Sequence, residues 1–236
     1  SVMQRLVAGA LLAGGTSTLH NISQSDECTA SLMLASQLGA EIEIGEQRVS
    51  IVGTGGKLAP RTEVLTPGES GLAARLFTPI AGLTPTPLQM EAEGTLVHRP
   101  MAVFAPLFEA YGGEVSCHNG AFPVNINRPL VGGSAELEAP ISSQYITGLL
   151  FALPNLARGS ELKVTHPTST PYLEMTKEVL EDFGISITAN DAFTHFEMEG
   201  GQTFTPIDTV VDGDWSGAAA LAVAGRLCAE GSIAIH

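Results

Sequence analysis

The sequence predicts an α/β protein of the α+β type, built from three repeated βαβαββ units with helices packed together inside and sheets outside. Three observations predict it: a short motif returns at a fixed interval, two families of helices alternate, and short strand candidates fill the gaps between them. The motif is an apolar residue, a glycine and then alternating strand residues: LGAEIEI at 38–44, YGGEVSC at 111–117 and FGISIT at 183–188. Its glycines, Gly39, Gly112 and Gly184, lie 73 and 72 residues apart.

The first helix family comprises VMQRLVAGALLA from 2, SGLAARLFTPIAG from 70, SQYITGLLFALP from 143 and WSGAAALAVAGRL from 215. The second comprises Glu27–Leu38, Met101–Tyr111 and Tyr172–Phe183, each closed by one of the repeated glycines. A helix C-terminus needs a left-handed residue, and glycine adopts that conformation freely. TSTLHNI, TEVLT, TPLQM, AELEA, SELKV and DTVVD supply strands between the helices. Each unit then reads strand–helix–strand–helix–strand–strand. The first unit opens on a helix and lacks its leading strand. A fourth opens at Asp208–Val211 and reaches Ser232–Ile235 without a second helix. The expected division is therefore 1–207 as one domain of three repeats and 208–236 as the start of a fourth unit leading into a second domain, in a fragment of a longer protein.

Composition narrows the function classes. At 236 residues, 44% hydrophobic and 15% charged, the chain can bury a large core. A net charge of −14 argues against nucleic acid and anionic membranes as partners, but leaves anionic small molecules open, because local geometry decides those. Cys28, Cys117 and Cys228 are dispersed with no CxxC spacing, which points to reduced thiols and a cytoplasmic protein. The six histidines show no HExxH-like spacing, so no metal is expected. The apolar start SVMQRLVAGALLAGG is interrupted by Arg5 and falls short of the roughly 20 residues a membrane span needs. It reads as an amphipathic helix.

The helix starts carry the candidate chemistry, since free N–H groups and a partial positive charge favour anions there. Ser1 precedes the first helix with Arg5 one turn in, Gly68-Glu-Ser-Gly71 precedes the next with Arg75 one turn in, and Ser142-Ser143-Gln144 opens the third. If the repeat gathers these ends, they form one polar, partly cationic crevice. Arg99, before Pro100 in VHRPM, reads as the first turn of a helix, where a cation opposes the dipole unless an anion lies between. Ser169 and Tyr172 in TSTPY stand at a fourth helix start. Residue chemistry alone leaves a plainer reading open at each position: Ser142 and Asp214 as N-caps, the glycines as a tight turn, Tyr172 as core, and the arginines as surface or paired groups.

In this order, SVMQRLVAGALLAGGTSTLHNISQSDE, PGESGLAARLFTPIAGL, HRPM, SSQYITGLLFALP, STPYLEMTKEVLEDFGI and DWSGAAALAVAG resemble the motifs of the 5-enolpyruvylshikimate-3-phosphate synthase family across essentially the whole chain. The resemblance implies an enolpyruvyl transferase-like fold of two similar domains, of which this chain is the first. It also implies transfer of the carboxyvinyl group of phosphoenolpyruvate to the 5-hydroxyl of shikimate 3-phosphate, with release of phosphate and no cofactor, by a monomeric full-length protein. Ser1, Arg5, Ser142, Ser143, Gln144, Ser169 and Tyr172 would then bind shikimate 3-phosphate, and Gly71 and Arg99 phosphoenolpyruvate.

The sequence also departs from the family pattern. The lysine of the family's SKS motif would precede Ser1. Glu69 and Leu72 stand for the commoner asparagine and threonine, and Thr170 for a common lysine. The acid–base groups would come from the second domain, so turnover by this chain alone is not expected. Two other readings compete. UDP-N-acetylglucosamine enolpyruvyl transferase shares the fold but uses a reactive loop cysteine, whereas Cys117 falls in a strand candidate. A non-catalytic repeat domain used as a binding module is the second.

Overall fold

Residues 1–228 and 234 are described in the computed structural model, apart from the side chains at 138–141 and 216. The first group of elements is α1 (Val2–Leu12), β1 (Thr16–His20), α2 (Asp26–Gln37), β2 (Glu41–Ile44) and β3 (Arg48–Val52). The second is β4 (Val64–Leu65), α3 (Gly71–Ala81), β5 (Leu88–Met90), α4 (Phe104–Ala110), β6 (Glu114–His118) and β7 (Ala121–Arg128). The third is β8 (Ser134–Ser142), α5 (Ser143–Ala152), β9 (Ser160–Thr168), α6 (Thr170–Asp182), β10 (Thr188–Ala189) and β11 (His195–Met198), followed by β12 (Asp208–Val210) and α7 (Trp215–Cys228). The second and third groups follow the βαβαββ order that the repeat predicts. The strand expected at Ser232–Ile235 lies outside the described residues.

Three four-stranded sheets share one design: β4-β5-β7-β6, β8-β9-β11-β10 and β12-β1-β3-β2. In each, the first two strands run parallel and the next two pairings are antiparallel. The parallel pairs β4–β5 and β8–β9 need crossovers, which α3 and α5 supply. In the first sheet β12 holds the place of β4 and β8, with Thr18 opposite Asp208. The strand missing from the start of the first unit is thus supplied by residues 208–210.

The helices form the middle of the molecule. In α1 and α3 every residue beyond the first is buried, whereas α6 buries only Leu173, Thr176, Val179 and Leu180. Of the first helix family, α1, α3 and α5 are therefore central, with α6 of the second packed over α1 and α5, whereas the fourth member, α7, is largely exposed. Phe77, Phe104, Phe151, Phe183 and Phe204 are fully buried between helices and sheets, each contributing about 1.5–3 kcal/mol. α3 and α5 pack backbone against backbone. Pro79 has no N–H to give the Arg75 carbonyl four residues back, and Gly148 packs against that freed oxygen so tightly that a Cβ would lie 2.4 Å from it. Gly39, Gly112 and Gly184 all take positive φ at the ends of α2, α4 and α6, as their spacing predicts.

One helix start differs from expectation. The helix expected from Met101 begins at Phe104. Arg99, before Pro100, is extended with ψ 138, as a residue preceding proline prefers. Met101 and Ala102 then donate to the Gly120 carbonyl in the β6–β7 turn, which delays the helix.

A candidate anion-binding crevice

The N-terminal ends of α1, α3, α5 and α6 open into one cavity of about 440 Å³. All nine residues singled out in the sequence line it: Ser1, Arg5, Gly71, Arg99, Ser142, Ser143, Gln144, Ser169 and Tyr172. The pseudo-symmetry of the repeat gathers them, because α1, α3 and α5 occupy equivalent places in successive units.

Arg5 is the deepest of them, at 1% exposure. Its Nε donates to Thr176 Oγ1 at 2.8 Å and its Nη1 to Ser1 Oγ at 2.9 Å and the Ser1 carbonyl at 3.1 Å. Nη2 reaches Thr147 Oγ1 and the Tyr172 carbonyl only at 3.4 and 3.3 Å. No carboxylate pairs with it among the described residues. Burial lowers its pKa from the ordinary arginine value to about 10, against an opposing influence of Tyr172. The guanidinium therefore stays charged near neutral pH. Ser1 Oγ, already accepting from Arg5, keeps its own O–H to donate into the crevice.

Arg75 repeats the theme on α3. It is buried at 9% exposure and its Nε has no partner among the described residues. Nη1 donates to Gln144 Oε1 at 2.7 Å, which fixes that amide and leaves its Nε2 donors for the crevice. The guanidinium lies 4.9 Å over the Tyr145 ring, a cation–π contact. Tyr145 in turn donates its hydroxyl to the Pro100 carbonyl, tying the segment that carries Arg99 to α5.

Ser142 caps α5, accepting from the Gln144 N–H at 3.4 Å, so it serves as N-cap and lining residue together. Ser143 is buried at 4% exposure at the first position of α5. Ser169 precedes α6 in the left-handed region, with φ 59 and ψ 49 and no side-chain cap bond. A non-glycine residue held there stores strain, which collects at functional sites. The dipole argument for Arg99 does not survive: it follows the 3-10 turn Gly94–His98 and precedes no helix directly. It is exposed and has no ion pair among the described residues.

With two buried guanidinium groups, serine hydroxyls and converging helix N-termini, the crevice suits a small polyanion. A sequence model of EPSP synthase (3-phosphoshikimate 1-carboxyvinyltransferase) matches residues 1–236. The chain belongs to the EPSP synthase family. Two curated 3-phosphoshikimate 1-carboxyvinyltransferases are similar to it. That of Clostridium kluyveri is 31% identical over 228 residues, covering 96% of this chain and 53% of the relative. That of Deinococcus radiodurans is 33% identical over 226 residues, covering 94% and 51%. A solved EPSP synthase from Acinetobacter baumannii has the same fold, with a TM-score of 0.81 at 24% identity over 92% of this chain and 49% of that one. The chain thus spans about half the length of the EPSP synthase relatives it matches.

Other lining residues have no role assigned by the sequence: Gln4, Glu27, Glu69, Leu72, Thr95 and Leu96. Arg75 is visible in the sequence as a helix-start arginine but not as a site residue. Gln4 had a signal, since it lies one turn beyond Ser1 on the first helix. Away from the crevice lining, Glu161, His195 and Glu197 bring potential ligand atoms within 4.8 Å of one another. Glu161 is already bonded to Lys163 Nζ at 2.9 Å and accepts from Ser134, and these contacts lower its pKa. No described helix is long and apolar enough to cross a membrane.

Proposed function

We propose that this chain is the first half of an enzyme that transfers the carboxyvinyl group of phosphoenolpyruvate to the 5-hydroxyl of shikimate 3-phosphate and releases phosphate. The observation that carries the reading is Arg5, a buried guanidinium with no carboxylate partner among the described residues, at the floor of a crevice ringed by helix N-termini. A buried charge without a counterion is costly, and an anionic ligand supplies what the fold lacks.

Ser142, Ser143 and Ser169 would hold the phosphate of shikimate 3-phosphate by their hydroxyls and the N–H groups of α5 and α6. Arg5 and Ser1 would take a second anionic group of the same molecule, with Gln144 and Tyr172 against its ring. Arg99 and the Gly71 backbone would face phosphoenolpyruvate. Arg75 joins this set as the group that orients Gln144. The tetrahedral intermediate proposed for enolpyruvyl transfer is strongly anionic, so preorganised donors would stabilise it without rearranging. We assign proton transfer to the second domain that the family resemblance implies, and the segment after β12 to the return toward it, since β12 itself completes the first sheet. On this reading the assembled protein is a monomer, works in the cytoplasm and needs no cofactor.

Calorimetric titration of the chain with shikimate 3-phosphate tests the reading. Binding in the parent, lost in Ser143→Ala and Arg5→Ala, is expected. No binding in the parent, or the same binding in both variants, would favour a non-catalytic module instead.

A further inference from the structure

Two crevice residues carry a buried polar atom with no hydrogen-bond partner among the described residues: Arg75 through Nε and Gln4 through Oε1. The arginine atom is a donor. The Gln4 atom is an acceptor, and unlike the lining carboxylates of Glu27 and Glu69 it is neutral and buried.

The geometry fixes that assignment. Gln4 is 1% exposed, and its Nε2 donates to the Glu27 carbonyl at 3.2 Å and to Ser70 Oγ at 3.0 Å. A carbonyl can only accept, so turning the amide over would set two oxygens against each other. Oε1 is therefore held in place and left unpaired. Buried polar atoms are rarely left so, and each such atom calls for an explanation. An anionic oxygen cannot supply the missing bond, since it would be repelled by the amide oxygen. A hydroxyl can.

We propose that Gln4 Oε1 is a specificity-determining acceptor that takes a hydrogen bond from a hydroxyl of the bound ligand, so that the crevice selects hydroxylated anions over bare ones. This rests on the shikimate 3-phosphate reading and adds to it a residue on α1 that recognises the ring rather than the charge. A pocket built to pair with a substrate hydroxyl discriminates strongly against the analogue lacking it, because the buried acceptor is then left unpaired.

The test is calorimetric titration of the chain and of Gln4→Met with shikimate 3-phosphate and its 4-deoxy and 5-deoxy analogues. In the parent, one of the two analogues is expected to bind roughly tenfold more weakly than shikimate 3-phosphate. Gln4→Met should bind shikimate 3-phosphate about as weakly as the parent binds that analogue, and should bind the analogue no worse than the parent does. Equal weakening of all three ligands would mean that Gln4 only supports α1, and overturns the proposal. So does unchanged binding of shikimate 3-phosphate by Gln4→Met, or parent affinity indifferent to both hydroxyls; either leaves the reading of the site intact. A parent that binds none of the three ligands overturns the reading itself and this proposal with it. If Gln4→Met fails to give the parent's circular dichroism spectrum, Gln4→Asn, which withdraws the acceptor by one methylene, goes through the same comparison.

Discussion

Replacing Arg5 by methionine removes the charge and keeps most of the volume, so it separates the cost of burying the guanidinium from its use. The lowering of the Arg5 pKa from the ordinary arginine value to about 10 corresponds to a penalty on the order of 3 kcal/mol on the charged form, at about 1.36 kcal/mol per unit. Against this stand the three shorter hydrogen bonds to Thr176 and Ser1, each contributing about 0.5–1.5 kcal/mol net. The threonines keep other partners when Arg5 goes. Thr147 and Thr176 hydroxyls lie 3.0 Å apart, and Thr176 also donates to the Tyr172 carbonyl at 2.6 Å. The opposing contributions nearly cancel, so Arg5→Met should change the unliganded stability by less than about 2 kcal/mol in urea titration. The folded pKa lies below the unfolded one, so folding gives up a proton between them and stability from this group rises as pH climbs from about 10 toward the ordinary arginine value. Near neutrality both states are protonated, and the difference between parent and variant should be flat. Ligand changes the comparison. At a shikimate 3-phosphate concentration of 100 times its dissociation constant the parent should gain about 2.7 kcal/mol, and the variant almost nothing. A loss beyond about 4 kcal/mol without ligand would make Arg5 a structural residue. An equal gain with ligand in both proteins would remove it from the site.

Ser169→Gly should relieve the left-handed backbone, raising stability by about 0.5–1 kcal/mol in urea titration while weakening shikimate 3-phosphate binding; a stability loss would contradict the strain. Gly148→Ala should lower stability by about 2–4 kcal/mol, because its Cβ would meet the Arg75 carbonyl at 2.4 Å; an unchanged urea midpoint would show that α3 and α5 can separate freely. Tyr145→Phe keeps the ring under Arg75 but frees the Pro100 carbonyl. It should cost about 1 kcal/mol and weaken phosphoenolpyruvate binding more than shikimate 3-phosphate binding in calorimetry.

Much of the fold was legible because its signals are local and repeated. The glycines that end α2, α4 and α6 take positive φ for a reason present in three residues of sequence, and their spacing exposed the unit. The place of β12 was not legible. Asp208–Val210 reads as the opening of a new unit, and only three-dimensional pairing with β1 puts it in the first sheet. Arg99 failed for a different reason: the proline that suits a helix start also holds the preceding residue extended, and the turn at Gly120 decided between the two. At the crevice, serines and glycines at helix starts could be read directly. Gln4 and Arg75 could not be ranked, because their significance is the lack of a partner, and partners are set by packing.

That lack of partners links stability to function. Across the described residues only three buried side-chain atoms go without a hydrogen bond, and two of them, Gln4 Oε1 and Arg75 Nε, line the same crevice. Arg5, uncompensated, and Ser169, strained, line it too. Exceptions occur elsewhere too, at His195 Nε2 and in the positive φ of Phe193, but at the crevice several gather in one place where a ligand would repair them together. An acceptor, two guanidinium groups and a ring of hydroxyls cannot all be repaired by one bare phosphate. They ask for a ligand with two anionic groups and a hydroxyl, and at equal free concentration such a ligand should stabilise the fold more than inorganic phosphate does, because engaging Gln4 as well as Arg5 lowers its dissociation constant.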